Sequence, residues 1–119
     1  RCSDLKSAIS FYKNALQLAP NDNGFFITKN LLAAYYQNND LDSIERIIVP
    51  KINVKDIDPV MLGFYSYVLL TKGKDEDAKK IFLKAKEKGL TRKRLSLFVN
   101  YKKVLDEFIE KLKPLGSLD

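Results

Sequence analysis

The chain has 119 residues, of which 45% are hydrophobic and 30% are charged, a composition typical of one folded domain and not of disordered or fibrous proteins. It contains no His, no Trp and a single Cys, so much of the usual equipment for acid–base catalysis and metal binding is missing. We therefore expect a protein that is not an enzyme and that uses no cofactor or metal. Lys and Arg exceed Asp and Glu by a net charge of +6, which makes an acidic partner worth considering.

The sequence predicts neither a membrane span nor a signal peptide, because no apolar run reaches the roughly 18 residues that a span requires. Cys2 has no second cysteine to pair with, which favours a reducing compartment, and we interpret it as an incidental thiol. These features predict a cytoplasmic protein. The first residue is Arg1 and not Met, so we expect the chain to be a fragment of a longer protein.

Three helices are predicted in the first part of the chain. Over 4–18, apolar residues recur every three or four positions, the period of one helix face. Pro20 and the polar turn 21–24 end this helix. A second helix with a wide apolar surface follows at once and runs to Gln37, and a short third helix is predicted over 41–49.

Strong stop and start signals mark the middle of the chain. Pro50 ends the third helix, because proline lacks the backbone donor that a helix interior needs. Segment 51–58 breaks the helical period, so we interpret it as a loop, with a short extended piece as the alternative. Asp58 is a favourable N-cap and Pro59 suits the first helical position, so a fourth helix is predicted from there to Thr71.

Two further helices complete the prediction. Gly73 closes the fourth helix, and a fifth helix with acidic residues in its first turn and lysines in its last turn ends at Gly89. After Thr91 the apolar residues keep the helical period until Pro114, so the sequence predicts one continuous sixth helix over 91–113.

A repeat runs through these helices. A small residue, an aromatic residue four positions later and a small residue three positions further on occur twice, at Ala8, Tyr12 and Ala15 and at Ala78, Phe82 and Ala85. Ile44 and Ile48 take the same register between them, with steps of 36 residues from Ala8 and 34 residues to Ala78. The pattern resembles the second helix of the tetratricopeptide repeat, a family whose period is 34 residues.

The first helix of that repeat also has counterparts in this sequence. They are Thr28, Leu31, Leu32 and Tyr35 in one unit and Leu62, Tyr65, Ser66 and Leu69 in the next. The resemblance covers about residues 4–90. Small residues let two antiparallel helices approach closely, and the large residue four positions later fills the groove toward the next hairpin. Leu32 and Lys51 stand where the family has small residues, so we expect the middle hairpin to be less tightly closed.

The resemblance implies an all-α fold, an antiparallel helix-hairpin array or α-solenoid of about six helices with a C-terminal capping helix. The whole chain, 1–119, would then form a single domain. Its parts would be the second helix of a truncated repeat (4–20), two repeats (24–50 and 58–89) and the capping helix (91–113).

The resemblance also implies a non-catalytic protein–protein interaction scaffold that binds a peptide or helical segment of a partner in a concave groove. The groove positions that carry over are Phe26, Lys29, Asn30, Ala33, Tyr36 and Gln37 on the second helix and Val60, Gly63, Phe64, Tyr67 and Thr71 on the fourth. Aromatic side chains suit such a groove, because they supply a large contact area. The alternative is that Phe64 and Tyr67 are simply buried by the neighbouring hairpin.

One subclass of the family holds the C-terminal carboxylate of heat-shock chaperones with a clamp of Lys, Asn and Arg. Asn30 resembles the Asn of that clamp. Val60 and Phe64, however, stand where the next repeat would have to supply basic residues. The sequence therefore does not predict binding of chaperone tails by this mode.

The surplus of positive charge lies in the last two predicted helices, because residues 72–113 contain 14 Lys or Arg against 7 Asp or Glu. The basic patch comprises Lys86, Lys88, Arg92, Lys93, Arg94, Lys102 and Lys103. It is the alternative binding surface, for RNA, an anionic membrane or an acidic protein, although such a charge run is also compatible with an ordinary solvated face. A third alternative is self-association through the exposed first helix.

Overall fold

The computed structural model describes residues 2–19, 21–22 and 25–118, with side chains described from Asp4 onward. This part of the chain contains α-helices and no β-strand, so the all-α class is confirmed for it. The helices are α1 (Cys2–Leu18), α2 (Phe26–Gln37), α3 (Leu41–Ile48), α4 (Pro59–Thr71), α5 (Asp75–Glu87), α6 (Arg92–Ser96) and α7 (Lys102–Leu112), with a 3-10 turn at Val49–Lys51. Arg1, Pro20, Asn23, Gly24 and the side chain of Cys2, on which some of the predictions rest, lie outside the described residues.

The helices α2, α4 and α5 end in the same way. Each is followed by a residue with positive φ, namely Asn39 (57°), Gly73 (80°) and Gly89 (102°). The next backbone N–H then reaches back five residues, which satisfies a carbonyl that the helix end would leave free. These bonds run from Asp40 to Tyr35, from Lys74 to Leu69 and from Leu90 to Ala85, each at 2.9 Å. The stops predicted at Gly73 and Gly89 are therefore confirmed.

The predicted start of α4 is also confirmed. The Asp58 carboxylate accepts a hydrogen bond from the backbone N–H of Val60 at 2.8 Å, and Pro59 occupies the first helical position. Segment 51–58 is a series of turns and contains no strand, as the loop interpretation predicted. The cap and the proline together fix where the chain enters the core.

The prediction of one helix over 91–113 is wrong. Thr91 caps α6 by accepting a hydrogen bond from the Arg94 N–H at 3.2 Å, but α6 ends at Ser96 and α7 begins only at Lys102. The intervening segment 97–101 turns the chain back. The reversal lets the apolar face of α7 pack on α2 and α4, and the burial gained there outweighs the continuity of the helix.

Helix α4 lies at the centre of the molecule. It contacts α2, α3, α5 and α7, and most of its side chains are buried around the whole circumference of the helix, as expected for a helix that is apolar on all sides. Sequential neighbours also pack together, α1 on α2, α2 on α3, and α3 on α4. The radius of gyration is 13.4 Å, close to the value of about 13.5 Å for a globular domain of this length. None of the described helices has both the length and the apolar character needed to cross a bilayer.

Candidate functional site

The side chains predicted to line a groove come from α2 and α4, which lie side by side, and we call this surface the α2/α4 face. It has a covered centre and an end occupied by Lys29, and an open cleft lies beside it, between α1, α2 and segment 98–104. Tyr36, Phe64 and Tyr67 form the covered centre and are 8%, 0% and 8% exposed. The face is therefore not an open groove along its whole length.

Helix α7 covers the centre of the α2/α4 face. The ring of Phe108, which is fully buried, lies 4.7 Å from the ring of Tyr36, 5.1 Å from that of Phe64 and 5.7 Å from that of Tyr67, measured between centroids. The contacts with the two tyrosines are edge-to-face, an arrangement favoured by the charge distribution of aromatic rings. Burial of Phe64 and Tyr67 thus comes from the chain's own C-terminal helix.

A polar contact accompanies this aromatic packing. The Lys111 ammonium donates a hydrogen bond to the Tyr36 hydroxyl at 3.2 Å and lies 5.1 Å and 5.6 Å from the ring centroids of Tyr36 and Tyr67. Burial raises the pKa of Tyr36, and the hydrogen bond to Tyr36 raises the pKa of Lys111. At neutral pH the phenol is therefore neutral and the ammonium charged, which preserves both the hydrogen bond and the cation–π contact.

A second polar cluster joins α6 to α7. The Asp106 carboxylate accepts hydrogen bonds from the Arg92 guanidinium and from the Lys102 ammonium, the latter at 3.0 Å. The bond to Arg92, followed by that to Lys102, holds the pKa of Asp106 below its usual value of 3.8. Arg92 belongs to α6 and Asp106 to α7, so this ion pair spans the turn at 97–101.

Lys29 is already engaged by the protein itself. Its ammonium lies 2.6 Å from the Asp58 carboxylate and 4.6 Å from the ring centroid of Phe98. Phe26, one turn earlier, is 61% exposed and makes an edge contact with the same ring. Lys29 therefore ties α2 to the start of α4, and Phe26 leaves an apolar edge at the end of the face.

The remaining predicted positions on α4 are not open to a partner, with one exception. Val60 is buried, and a Cβ built on Gly63 would lie 3.2 Å from the Leu90 side chain, so Gly63 faces the core there. Thr71 is exposed, and its hydroxyl donates to the Tyr67 carbonyl at 2.9 Å. The glycine thus allows the segment after α5 to approach α4 closely.

An open cleft of about 590 Å³ lies beside the covered centre. One wall is α1, the floor is α2, and the other wall is the segment 98–104. Its lining includes three of the predicted residues, Asn30, Ala33 and Gln37, together with Asp4, Leu5, Ala8, Tyr12, Ala34, Phe98, Asn100, Tyr101 and Val104. The side-chain amide of Asn30 donates a hydrogen bond to the Phe26 carbonyl at 2.9 Å. This bond within α2 fixes the orientation of the Asn30 side chain.

None of the three aromatic residues that line this cleft, Tyr12, Phe98 and Tyr101, is among the site residues predicted from the sequence. Tyr12 belongs to the repeat pattern, and Phe98 and Tyr101 fall within the helix predicted over 91–113, although Tyr101 is 69% exposed and stands in the turn before α7. The signal that marks this turn in the sequence is Asn100, because asparagine has low helix propensity and readily adopts turn conformations.

In the structure, some residues of the predicted basic patch are engaged in contacts within the chain and others are exposed. Arg92 and Lys102 are paired with Asp106. The Arg94 guanidinium packs over Gly89, and the Lys88 ammonium donates to the Lys55 carbonyl at 3.2 Å. Lys86, Lys93 and Lys103 are exposed, as is Arg94. In the part of the chain that the structure describes, positive charge without a carboxylate partner therefore lies at the end of α5, at the start of α6 and at Lys103 on α7.

Within the described residues, no three Cys, Asp or Glu side chains come together in a way that could hold a metal ion. Comparison of the chain with protein-family models, with curated proteins and with solved structures finds no match.

Proposed function

We propose that this chain is a non-catalytic protein-interaction module that binds a peptide or helical segment of a partner protein in the cleft between α1, α2 and segment 98–104. The cleft itself carries the proposal, because three separate segments meet to form a concave surface of about 590 Å³. Tyr12 and Tyr101 supply aromatic walls for apolar side chains. Asn30, Gln37 and Asn100 supply donors and acceptors for a peptide backbone.

We also propose that the two hairpins α2–α3 and α4–α5 are tetratricopeptide-type repeats. The observation that supports this is the 34-residue spacing of equivalent features. Asn39 and Gly73, which stand 34 residues apart, both have positive φ and end the first helix of their hairpin in the same way. Ile44 and Ala78 share that spacing, and both are fully buried. In such an array a partner binds to the side formed by the first helices, and α2, which forms the floor of the cleft, would be one of them.

Selection from a phage-displayed library of random linear peptides tests the binding site. We expect peptides selected on the wild-type chain to bind Tyr101→Ala at least about tenfold more weakly, because the aromatic wall supplies contact area at the centre of the cleft. Leu83→Ala is the matched control, since Leu83 is exposed on α5, away from the cleft. Equal affinity of the selected peptides for Tyr101→Ala and the wild-type chain would place the binding site elsewhere and contradict the proposal.

Electrostatic binding of RNA or an anionic membrane is the second candidate. In the part of the chain that the structure describes, Lys86, Lys93, Arg94 and Lys103 have no carboxylate partner within ion-pair distance, which favours an anionic ligand. Binding of this kind weakens steeply with salt, because it releases condensed counterions. We expect single-stranded RNA or phosphatidylserine vesicles to lose affinity when salt rises to physiological levels, and an affinity that is independent of salt would exclude this mode.

A further inference from the structure

We propose that the turn between α6 and α7 is a membrane-anchoring loop. Leu97 and Tyr101 enter the interface of an anionic bilayer, and the Lys and Arg residues on both sides of the turn contact its headgroups. This proposal rests on the second candidate function, electrostatic binding, and goes beyond it by naming a membrane as the anionic partner and naming the side chains that insert. It does not depend on peptide binding in the cleft.

The surplus positive charge of the chain is concentrated around this turn. Residues 88–105 contain six Lys or Arg and no Asp or Glu, with four of the cations before segment 97–101 and two after it. The first carboxylate that follows, Asp106, is already paired with Arg92 and Lys102. An anionic membrane therefore meets positive charge on both sides of the turn.

Three of these cations are free to bind headgroups. Lys93 and Arg94 lie on α6 and Lys103 lies in the first turn of α7, and all three are exposed. Among the residues that the structure describes, none of the three has a carboxylate within ion-pair distance. Contact with anionic lipid therefore breaks no ion pair of the folded chain.

The turn presents large apolar side chains to solvent. Leu97 and Tyr101, at its two ends, are 67% and 69% exposed. Phe98 and Val99 between them are 8% and 0% exposed, so the turn is anchored in the core and its backbone is held in place. Because the turn is already ordered, insertion of its two outer side chains costs little conformational entropy.

Phe26 extends this apolar surface from α2. Its ring is 61% exposed and makes an edge contact with the ring of Phe98, at 5.9 Å between centroids. Phe98 directly follows Leu97 in the chain, so three large exposed apolar side chains, those of Phe26, Leu97 and Tyr101, border one turn. Exposed apolar groups that gather in this way mark an interaction site, unlike single exposed side chains.

A membrane matches this combination better than RNA does. Single-stranded RNA binds by stacking its bases on aromatic rings, whereas Leu97, the exposed side chain that follows the cations of α6, is aliphatic. Segments that lie in the membrane interface combine Leu, Phe and Tyr with Lys and Arg. The apolar groups enter the acyl boundary, while the long cationic side chains reach the headgroups.

Tryptophan fluorescence tests insertion directly, because the chain has no Trp of its own. On vesicles of phosphatidylcholine and phosphatidylserine, we expect the full chain with Leu97→Trp to show blue-shifted emission that lipids with brominated acyl chains quench. Val49→Trp is the matched control, since Val49 is 46% exposed but shares its groove with Asp42 and Glu45. Its emission should stay unchanged on the same vesicles.

Vesicle co-sedimentation measures what each group contributes to binding. We expect Leu97→Gln to weaken binding at least about tenfold, because the membrane buries an otherwise exposed Leu. Lys93→Gln should weaken it about fivefold, since one cation near an anionic leaflet contributes on that scale. Val49→Gln should bind as the wild-type chain does. Leu97 does not line the cleft, so library-selected peptides should bind Leu97→Gln and the wild-type chain equally.

The outcomes separate this proposal from the functions proposed above. Unshifted emission of Leu97→Trp on vesicles that bind the chain would overturn insertion and leave electrostatic binding standing. Binding to single-stranded RNA without binding to phosphatidylserine vesicles would overturn the membrane as partner. Insertion of Leu97→Trp, combined with no library peptide that depends on Tyr101, would support the membrane-anchoring loop and overturn the proposed cleft.

Discussion

Asp58 performs two functions at the point where α2 meets α4. Its carboxylate accepts a hydrogen bond from the Val60 N–H and, through its other oxygen, contacts the Lys29 ammonium. The side chains of both members of this ion pair are largely shielded, at 20% exposed for Asp58 and 11% for Lys29. The residue therefore caps one helix and neutralises a shielded charge on another.

Substitutions at Asp58 separate these two functions. We expect Asp58→Asn to keep the cap and lose the ion pair, and Asp58→Ala to lose both, so the alanine variant should be less stable by a further 1 kcal/mol or so. Urea denaturation followed by circular dichroism measures the difference. Combination of each variant with Lys29→Met completes a double-mutant cycle. Equal stability of Asp58→Asn and Asp58→Ala would show that the cap contributes nothing.

The ion pair of Asp106 makes the docking of α7 sensitive to acid. Because the folded-state pKa of Asp106 lies below its usual value of 3.8, the pairing stabilises the fold at higher pH and its contribution is lost as the pH falls through the folded pKa. Arg92 and Lys102 are the charged groups that face it. We expect the melting temperature of the wild-type chain to fall more than that of Asp106→Asn between about pH 5 and pH 2.

Glu87→Gln is the control for this comparison, because Glu87 is exposed on α5 and its charge lies outside the cluster. Its melting curve should keep the acid dependence of the wild-type chain. The difference caused by Asp106→Asn should also shrink at high salt, since exposed ion pairs are screened. Parallel acid profiles for the wild-type chain and Asp106→Asn would contradict the assignment.

At the residue scale, helix starts and stops could be predicted from the sequence, because the residues that cause them lie within a few positions of the helix end. Asp58, Pro59, Gly73 and Gly89 were predicted in their observed roles, because caps and positive-φ stops depend on neighbouring backbone. The partner of Lys29 could not be predicted in this way, since it stands 29 residues further along the chain.

At the scale of the helices, α1 and α5 carry the same pattern in different surroundings. Ala78, Phe82 and Ala85 on α5 are all fully buried. Their counterparts on α1, Ala8, Tyr12 and Ala15, are only partly buried. Phe11 and Leu18, seven residues apart on α1, are 67% and 86% exposed. Helix α1 therefore presents an apolar stripe that α5 does not.

The exposed stripe on α1 is the basis for a prediction of self-association through this helix. We expect sedimentation equilibrium of the wild-type chain to show a mass that rises with concentration, and Phe11→Glu with Leu18→Glu to give a monomer, because charge on the stripe opposes its burial. Leu83→Glu, on the exposed side of α5, should leave the association unchanged. A monomeric wild-type chain at every concentration would contradict this prediction.

The break between α6 and α7 could not be predicted from hydrophobic periodicity alone. Leu95, Phe98, Leu105 and Phe108 keep the helical period across the break, so the sequence pattern predicts continuity. Leu95 and Phe108 are nevertheless both fully buried with the non-helical segment 97–101 between them, and Phe108 packs on α2 and α4. A tertiary requirement of this kind overrides local propensity.

At the scale of the whole molecule, α7 and the residues that follow it reach from the cleft to α5. Val104 lines the cleft together with α1, and a Cβ built on Gly116 would lie 2.8 Å from the ring of Phe82 on α5. The covered centre of the α2/α4 face lies between these points. This placement explains why a groove predicted from α2 and α4 alone is only partly open, since the prediction placed the capping helix at the end of the array.

Phe82 should be among the most important side chains for global stability. It is fully buried, and it contacts the segment that follows α7. We expect Phe82→Ala to lower the free energy of unfolding by about 3–5 kcal/mol, because it leaves a cavity in the core. The adjacent Leu83 is 49% exposed, so Leu83→Ala should cost less than about 1 kcal/mol in the same urea titration. Comparable losses for the two variants would contradict the packing described here.

We propose that partners bind in the cleft between α1, α2 and segment 98–104, and chemical-shift mapping tests this most directly. A peptide selected on the wild-type chain would be titrated into the ¹⁵N-labelled full chain. We expect the largest shifts at the amide groups of Asn30, Gln37 and Tyr101, with further shifts at the start of α7, where Val104 lines the cleft. Shifts confined to the region from Lys86 to Arg94 would contradict it and would assign binding to the basic surface.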